Sequence, residues 1–175
     1  MQGNVQPWVS ATLYRRGMDV QRFHTHQMVF PETVGRHTAN VIGLLLHFYS
    51  PNLPSAELLA RAALHDVPEA LTGDLPAPIK SSAPPEFIEY LEEMERDIYV
   101  GMTTPYPGLT EEEETLLKIA DYVALVLTAN REARLGNEAF NSVVANGKML
   151  ITKYAQGSQF SEHIAENLDN ILEKL

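Results

Sequence analysis

Cysteine is absent from the 175 residues of the sequence. Disulfide bonds and thiolate zinc sites are therefore excluded, and any bound metal must be held by histidine and carboxylate side chains. The lack of cysteine also suits a reducing compartment, so we expect a cytoplasmic location. Basic residues are scarce as well, with 13 lysines and arginines against 23 aspartates and glutamates. This balance argues against broad nucleic-acid binding, although a local cluster of cations would suffice for a small anionic ligand.

Long hydrophobic runs are also missing. The longest, residues 41–49, is about half of the ~20 residues that a membrane-spanning helix needs. The first eight residues lack the basic start and apolar core of a signal peptide. We therefore expect that the protein binds neither membranes nor nucleic acid, and that its hydrophobic residues, 45% of the chain, form a buried core. The length suits one domain that spans residues 1–175.

Apolar residues recur with helical spacing along most of the chain, and no alternating strand pattern of useful length is present. We predict an all-α orthogonal bundle of about six or seven helices. The first helix of the chain is predicted to end before Gly17. A later helix begins at the N-cap Ser55, and another begins at a capping box formed by Thr110 and Glu113. Segment 18–31 has no clean period and is predicted to be a long loop, often a functional element in a compact domain. The other predicted helices cover residues 7–15, 32–49, 84–100, 140–155 and 161–175.

Side chains that can bind metal interrupt three of the apolar helix faces. His37 falls on the inward face of the second helix, His65 and Asp66 lie near the end of the third, and Asp121 interrupts the apolar stretch 116–127. Taken singly, each has an ordinary explanation: a core histidine with a hydrogen bond, a common dipeptide, and an exposed or ion-paired carboxylate. Together, two histidines and two carboxylates suit a divalent cation with open positions for water and substrate, as hydrolysis requires.

Further polar residues follow the His-Asp pair in the sequence. Glu69 lies one helical turn beyond the pair and shares its face, while Pro68 favours a kink or a helix end there. A turn at 72–74 then carries Asp74, and a proline-rich segment leads to Lys80. If the fold brings these side chains together, they add two carboxylates and a cation beside the metal-binding pair.

These motifs resemble a known family. The arrangement of His37, His65-Asp66 and Asp121 on successive helices resembles the signature of the HD-domain metal-dependent phosphohydrolases. Segments 22–23 (Arg-Phe), 32–37 (Glu-Thr-Val-Gly-Arg-His) and 65–80 resemble the YfbR-type 5′-deoxynucleotidases and, equally, the phage dATP triphosphohydrolases of the DatZ group. The resemblance covers roughly residues 20–130, and the last 45 residues carry no usable motif.

The resemblance implies a metal centre and an oligomer. The implied metal is a divalent transition ion (zinc, cobalt, manganese or iron), and a second divalent ion can accompany the phosphates. The protein would be a homo-oligomer, either a dimer or a hexamer. The implied metal ligands are His37, His65, Asp66 and Asp121.

The resemblance also implies roles around the substrate. Glu69 would position or deprotonate the attacking water, and Asp74 would hold the sugar or assist proton transfer. Arg22 and Lys80 would hold phosphate oxygens. Phe23 stands where the nucleotidases usually have tryptophan; it keeps an apolar wall for the deoxyribose but loses the indole N–H, which weakens the expected discrimination against a ribose 2′-OH.

The expected activity is therefore hydrolysis of a small-molecule deoxynucleotide at the P–O5′ bond, with dATP yielding deoxyadenosine and triphosphate. One alternative is a 5′-deoxynucleotidase that acts on monophosphates. An alternative from another class is a non-catalytic HD module that senses a nucleotide or metal, although the presence of Glu69, Asp74, Arg22 and Lys80 argues against it. Candidates for base selection are Thr25 and Pro78. Candidates for contacting a triphosphate tail are Arg15, Arg16, Arg36, Lys80, His24 and His26.

Overall fold

The computed structural model describes residues 7–102, 108–156 and 159–173. The ends of the predicted domain, residues 1 and 175, lie outside these ranges. Within them no β-strand forms, and the predicted all-α class is confirmed; seven of the helices contain nine residues or more. The helices are α1 (Pro7–Met18), α2 (Val34–Tyr49), α3 (Ala56–Leu64), α4 (Glu69–Thr72), α5 (Ala77–Ser82), α6 (Pro85–Met102), α7 (Glu111–Arg134), α8 (Asn141–Ala155) and α9 (Gln159–Glu173), with a short 3-10 helix at Glu138–Phe140.

Helix α7 is the centre of the fold. Its N-cap is Thr110, whose side chain accepts a hydrogen bond from the backbone of Glu113 while the Glu113 side chain accepts from the Thr110 backbone. This reciprocal pair is the predicted capping box, and it satisfies amides that the first turn would otherwise leave unpaired. Along α7, Val123 and Val126 are fully buried against the neighbouring helices. Gly147 lets α8 approach closely, because a Cβ there would lie 2.3 Å from Cγ2 of Val126.

Helix α1 runs farther than its sequence predicts. It continues through Gly17 to Met18, so the predicted end before Gly17 is wrong. A Cβ at Gly17 would lie 2.8 Å from the carbonyl oxygen of Val67. The glycine is therefore a contact point, where α1 lies directly against the backbone of the turn after α3.

The segment between α1 and α2 is non-helical, as predicted, but its two ends are paired. An isolated antiparallel bridge joins Gln21 to Thr33. The backbone N–H of Arg22 donates to the carbonyl of Glu32 over 2.9 Å. Thr33 then caps α2 by accepting a hydrogen bond from the Arg36 backbone, so α2 begins at Val34 rather than at residue 32. This pairing fixes Arg22 close to the start of α2.

The middle of the same segment is fastened to the end of α7. Glu132 is fully buried, and its carboxylate accepts hydrogen bonds from the backbone N–H groups of Val29, at 2.7 Å, and Phe30, at 2.9 Å. Burial raises the pKa of Glu132, but these hydrogen bonds outweigh it and leave the pKa below its usual value. The side chain of Asn137 adds a 2.7 Å bond to the carbonyl of Gln27. The loop is thereby held at three successive points.

Candidate active site

Three elements bring metal-capable side chains together. His37 comes from the buried face of α2, His65 follows the last residue of α3, and Asp121 comes from the middle of α7. One nitrogen or oxygen atom of each lies within 4.8 Å of the corresponding atoms of the other two. Nε2 of His37 is 2.8 Å from Oδ1 of Asp121, and the two imidazole rings have centroids 5.5 Å apart. We call these three residues the cluster.

The backbone around His65 fixes the orientation of its ring. Nδ1 lies 2.7 Å from the carbonyl oxygen of Ala62, one turn earlier in α3. Because a carbonyl only accepts, Nδ1 is the donor, and in the neutral ring the lone pair is then on Nε2, the nitrogen near Asp66. The hydroxyl of Tyr99 donates to the carbonyl of His65 from α6. Hydrogen bonds of this kind orient histidine ligands in metal sites.

The chemistry of the cluster fits a divalent transition metal. Nε2 of His65 is buried and makes no hydrogen bond to any residue that the structure describes. Such an atom costs free energy unless a ligand pairs with it. Burial raises the pKa of Asp121, but the hydrogen bond from His37 and the charges around it outweigh this and hold the pKa well below its usual range. Two imidazole nitrogens and an ionised carboxylate could hold zinc or a related ion.

Asp66 lies beside the cluster and not within it. Its Oδ2 is 3.4 Å from Nε2 of His65 and 3.8 Å from Nε2 of His37. The same oxygen is only 2.8 Å from a terminal nitrogen of Arg22. A charge-assisted hydrogen bond of this length draws the carboxylate toward the guanidinium. Asp66 thus connects the cluster to a cation.

Arg22 is a buried cation, with 8% of its surface exposed. Its Nε lies 3.6 Å from Oε2 of Glu32, whereas Asp66 contacts a terminal nitrogen. Burial disfavours the charged form, but the carboxylates, Asp66 and Asp121 foremost, outweigh burial and raise the pKa of Arg22. The guanidinium therefore stays charged next to the cluster, where a phosphate would need it.

Glu69 opens α4 and is buried. Burial, together with the carboxylates of Asp66 and Asp74, raises its pKa to about 8, although Arg22 and Lys80 act against this. Its Oε2 is buried without a hydrogen bond to any residue in the described part of the chain. A carboxyl group that titrates near neutrality can exchange a proton with water or substrate.

Phe23 has an unusual backbone. Its φ of 53° lies in the left-handed region, which residues with a side chain rarely adopt. Its backbone N–H donates to Oδ2 of Asp74 over 2.9 Å, which holds this conformation. The ring packs edge-on against Phe140, with centroids 5.4 Å apart. Asp74 therefore binds the backbone of Phe23, a contact that its position in the sequence did not indicate.

The remaining predicted residues are exposed. Lys80 lies in the last turn of α5, and its charge acts on Glu69. Thr25 and Pro78 have local contacts: the Thr25 hydroxyl is 3.1 Å from Nδ1 of His26, and the Pro78 carbonyl accepts a 2.8 Å bond from Ser82. The structure thus places Arg22 and Glu69 near Asp66, and Asp74 near Phe23 and Glu69, and it leaves Thr25 and Pro78 at the surface.

Several residues around the site had no role in the sequence prediction. Glu32 contacts Arg22, Tyr99 bonds to the backbone of His65, and Phe140 supports Phe23. Glu32 was part of a recognised motif, but only its burial singles it out as an ionic partner. Neither of the two aromatic residues lies in a motif, and their contacts depend on helices far apart in the sequence.

Comparison with known proteins identifies the family. The model of the YfbR-like family, described as 5′-deoxynucleotidase YfbR-like, matches residues 12–168, well beyond the predicted limits of the resemblance. The 5′-deoxynucleotidase YfbR of Shigella boydii is 25% identical over 169 residues, which cover 84% of this chain and 83% of that protein. The same figures hold for YfbR of Escherichia coli.

Solved structures support the same fold. The HD phosphohydrolase DatZ of cyanophage S-2L, bound to dA and one catalytic Zn²⁺ ion, has a TM-score of 0.70 at 18% identity, covering 94% of this chain and 96% of DatZ. A conserved hypothetical protein from Pyrococcus furiosus has a TM-score of 0.69 at 21% identity, covering 92% and 98%. None of the described helices is long and apolar enough to cross a membrane. The chain therefore has the predicted HD fold, belongs to the YfbR-like 5′-deoxynucleotidase family and is a hydrolase of the HD type.

Proposed function

We propose that the protein hydrolyses dATP at the P–O5′ bond and releases deoxyadenosine and triphosphate. The observation that carries the proposal is the meeting of the cluster with buried Arg22 and buried Glu69. One site then offers ligands for a metal, a cation for a phosphoryl oxygen and a carboxyl group for a water molecule. These are the components that hydrolysis of a phosphate ester requires.

The metal would be held by His37, His65 and Asp121, with Asp66 as a fourth ligand that also binds Arg22. When bound, a divalent ion makes a water molecule more acidic and polarises a phosphate oxygen. Zinc is the first candidate, because DatZ was solved with Zn²⁺. Cobalt, manganese and iron suit the same nitrogen and oxygen donors, and a second divalent ion can accompany the phosphates.

Glu69 acts as the general base in this proposal. The attacking water loses a proton to its carboxylate as the oxygen approaches the α-phosphorus. A pKa raised to about 8 makes the group a stronger base than a free glutamate. The deprotonated form is needed, and positive charge next to Glu69 favours that form. Glu69 can later return the proton to the departing O5′.

Arg22 neutralises charge that develops on the phosphoryl oxygens. Its planar guanidinium can contact two oxygens at once, whereas Lys80, which is exposed, acts as a point charge on the outer phosphates. Phe23 provides an apolar wall for the deoxyribose, and Asp74 keeps that wall in place through the Phe23 backbone. We also propose that Thr25 and Pro78 select the base.

Two lines of support differ in the substrate that they favour. The sequence resembles phage dATP triphosphohydrolases, and DatZ was solved with dA in place. The family model and the YfbR relatives favour a second candidate, a 5′-deoxynucleotidase that acts on monophosphates. Both activities break the same bond, so the cluster, Arg22 and Glu69 serve either one. The candidates differ in the phosphates beyond the cleaved bond.

A product assay separates the two candidates. Purified protein loaded with zinc or cobalt is incubated with dATP, dAMP, dGTP and ATP, and phosphate is resolved from triphosphate by anion-exchange chromatography. Triphosphate from dATP alone is the result expected for the proposal. Phosphate from several deoxymonophosphates would replace it with the second candidate. No hydrolysis of any substrate by metal-loaded protein would refute both.

A further inference from the structure

Glu32 is a fully buried carboxylate that the proposed chemistry does not use. It lies just before α2, where its backbone carbonyl accepts the N–H of Arg22 over 2.9 Å. Its Oε1 accepts a hydrogen bond from the hydroxyl of Thr128, on α7, over 2.5 Å. Its Oε2 lies 3.6 Å from Nε of Arg22. The side chain is thus held from one side by α7 and faces the guanidinium on the other.

Asp66 and Glu32 both contact the guanidinium of Arg22, but at different nitrogen atoms. Asp66 contacts a terminal nitrogen at 2.8 Å, and Glu32 lies next to Nε. A guanidinium is planar and its nitrogens are fixed relative to one another, so the hydrogen bond at one terminal nitrogen and the ion pair at Nε together restrict its orientation. If Asp66 turns toward a metal, the Glu32 contact still opposes movement of Arg22.

We infer that Glu32 is the positioning residue for Arg22, and that it aims the guanidinium at the phosphoryl group while Thr128 fixes the carboxylate. The inference rests on the proposed function, in which Arg22 contacts a phosphate. Glu32 itself does not touch the substrate. Its effect reaches the reaction through the orientation of Arg22, and it disappears when Arg22 is absent.

Glu132 provides a matched control. Both glutamates are fully buried, and both fasten the segment between α1 and α2 to α7. The Glu132 carboxylate, however, binds the backbone of Val29 and Phe30 and the Asn137 side chain. A purely structural role predicts similar effects for Glu32→Gln and Glu132→Gln. The positioning role predicts that they differ in phosphate binding.

The test is a double-mutant cycle on the zinc-loaded 175-residue chain, with Glu32→Gln, Arg22→Ala and their combination. The readouts are kcat/KM for the deoxynucleotide and the Kd for inorganic tripolyphosphate by calorimetry. We expect Glu32→Gln to lower kcat/KM and to weaken tripolyphosphate binding, each by about tenfold, and to change neither once Arg22 is alanine. Glu132→Gln should lower the Tm about as much as Glu32→Gln does. Unlike Glu32→Gln, it should keep kcat/KM within about twofold of the wild type.

Thr128→Val provides a milder variant that keeps the charge of Glu32. It should weaken tripolyphosphate binding in the same direction, and again only when Arg22 is present. Equal losses from Glu32→Gln with and without Arg22 would overturn the inference, as would wild-type binding in both Glu32→Gln and Thr128→Val. If the wild type binds tripolyphosphate in a Glu32-dependent way but hydrolyses nothing, the proposed function fails and the positioning role stands. If it hydrolyses and Glu32→Gln has no effect, only the positioning role fails.

Discussion

Two buried regions meet along α7, and they differ in what holds them together. In the centre, Val123 and Val126 pack against apolar neighbours. At the edge, Arg22 and Glu32 pack with the cluster, where charges of opposite sign lie close together. Burial is the same, since Val123 and Glu32 are both 0% exposed. Apolar contacts have no required direction, whereas a buried charge needs a particular partner. We therefore expect changes in the centre to alter stability and changes at the edge to alter function.

The largest expected effect is at the cluster. His65→Ala removes the imidazole whose Nε2 is buried and lacks a hydrogen bond within the described part of the chain. We expect zinc affinity to fall at least ~10-fold and turnover to fall below detection, because the four proposed ligands become three. Zinc content after dialysis and kcat measure the effect. His47→Ala, at an exposed position of α2, is the control and should keep both. A His65→Ala protein with full zinc content would contradict the ligand role.

Glu69→Ala sharpens the comparison by separating chemistry from metal binding at the same edge. The carboxyl group takes the proton of the attacking water in the proposed mechanism, so kcat should fall by roughly 10²–10⁴-fold. Zinc content should stay at the wild-type level, since Glu69 is not a proposed ligand. Glu69→Gln, which keeps the shape of the side chain, should be equally inactive. If zinc and activity are lost together, Glu69 binds metal and its assignment as the base is wrong.

In the apolar centre we expect the opposite outcome. Gly147→Ala places a Cβ 2.3 Å from Cγ2 of Val126, and a valine in a helix has little freedom to turn away. We expect a loss of roughly 1–3 kcal/mol in the free energy of unfolding, with kcat and zinc content unchanged. Chemical denaturation measures the loss.

Gly43 in α2 supplies the control for that change. Beyond its own helix turn, a Cβ there meets no atom of the described residues within 4 Å, so Gly43→Ala should instead stabilise by roughly 0.5–1 kcal/mol. If Gly147→Ala lowered kcat without lowering the free energy of unfolding, the expectation that changes in the apolar centre alter stability and not function would be wrong.

More of the apolar centre than of the charged edge could be predicted from the sequence. The apolar centre follows from helical periodicity, which is local, so α2, α3 and α7 were found, the last two with their N-caps Ser55 and Thr110. The cluster residues were found because histidine and carboxylate interrupt apolar faces. The support around them was not found, because it depends on contacts between distant positions: Val29 with Glu132, and Phe23 with Asp74. No local pattern specifies such partners, and the left-handed φ of Phe23 has no sequence signal of its own.

The smallest expected effect tests that last contact. Oδ2 of Asp74 accepts the N–H of Phe23 over 2.9 Å, so Asp74 can act on the substrate through the position of the Phe23 ring. Asp74→Asn keeps an oxygen acceptor for this bond but loses the charge, and we expect kcat/KM to fall about threefold. Asp74→Ala loses the acceptor, and we expect a fall of about tenfold, because the strained backbone of Phe23 is then free to relax. Steady-state kinetics of the two variants decide the matter. Equal and larger losses in both would mean that the negative charge of Asp74 takes part in proton transfer, and the edge of the site would then contain a second catalytic carboxylate beside Glu69.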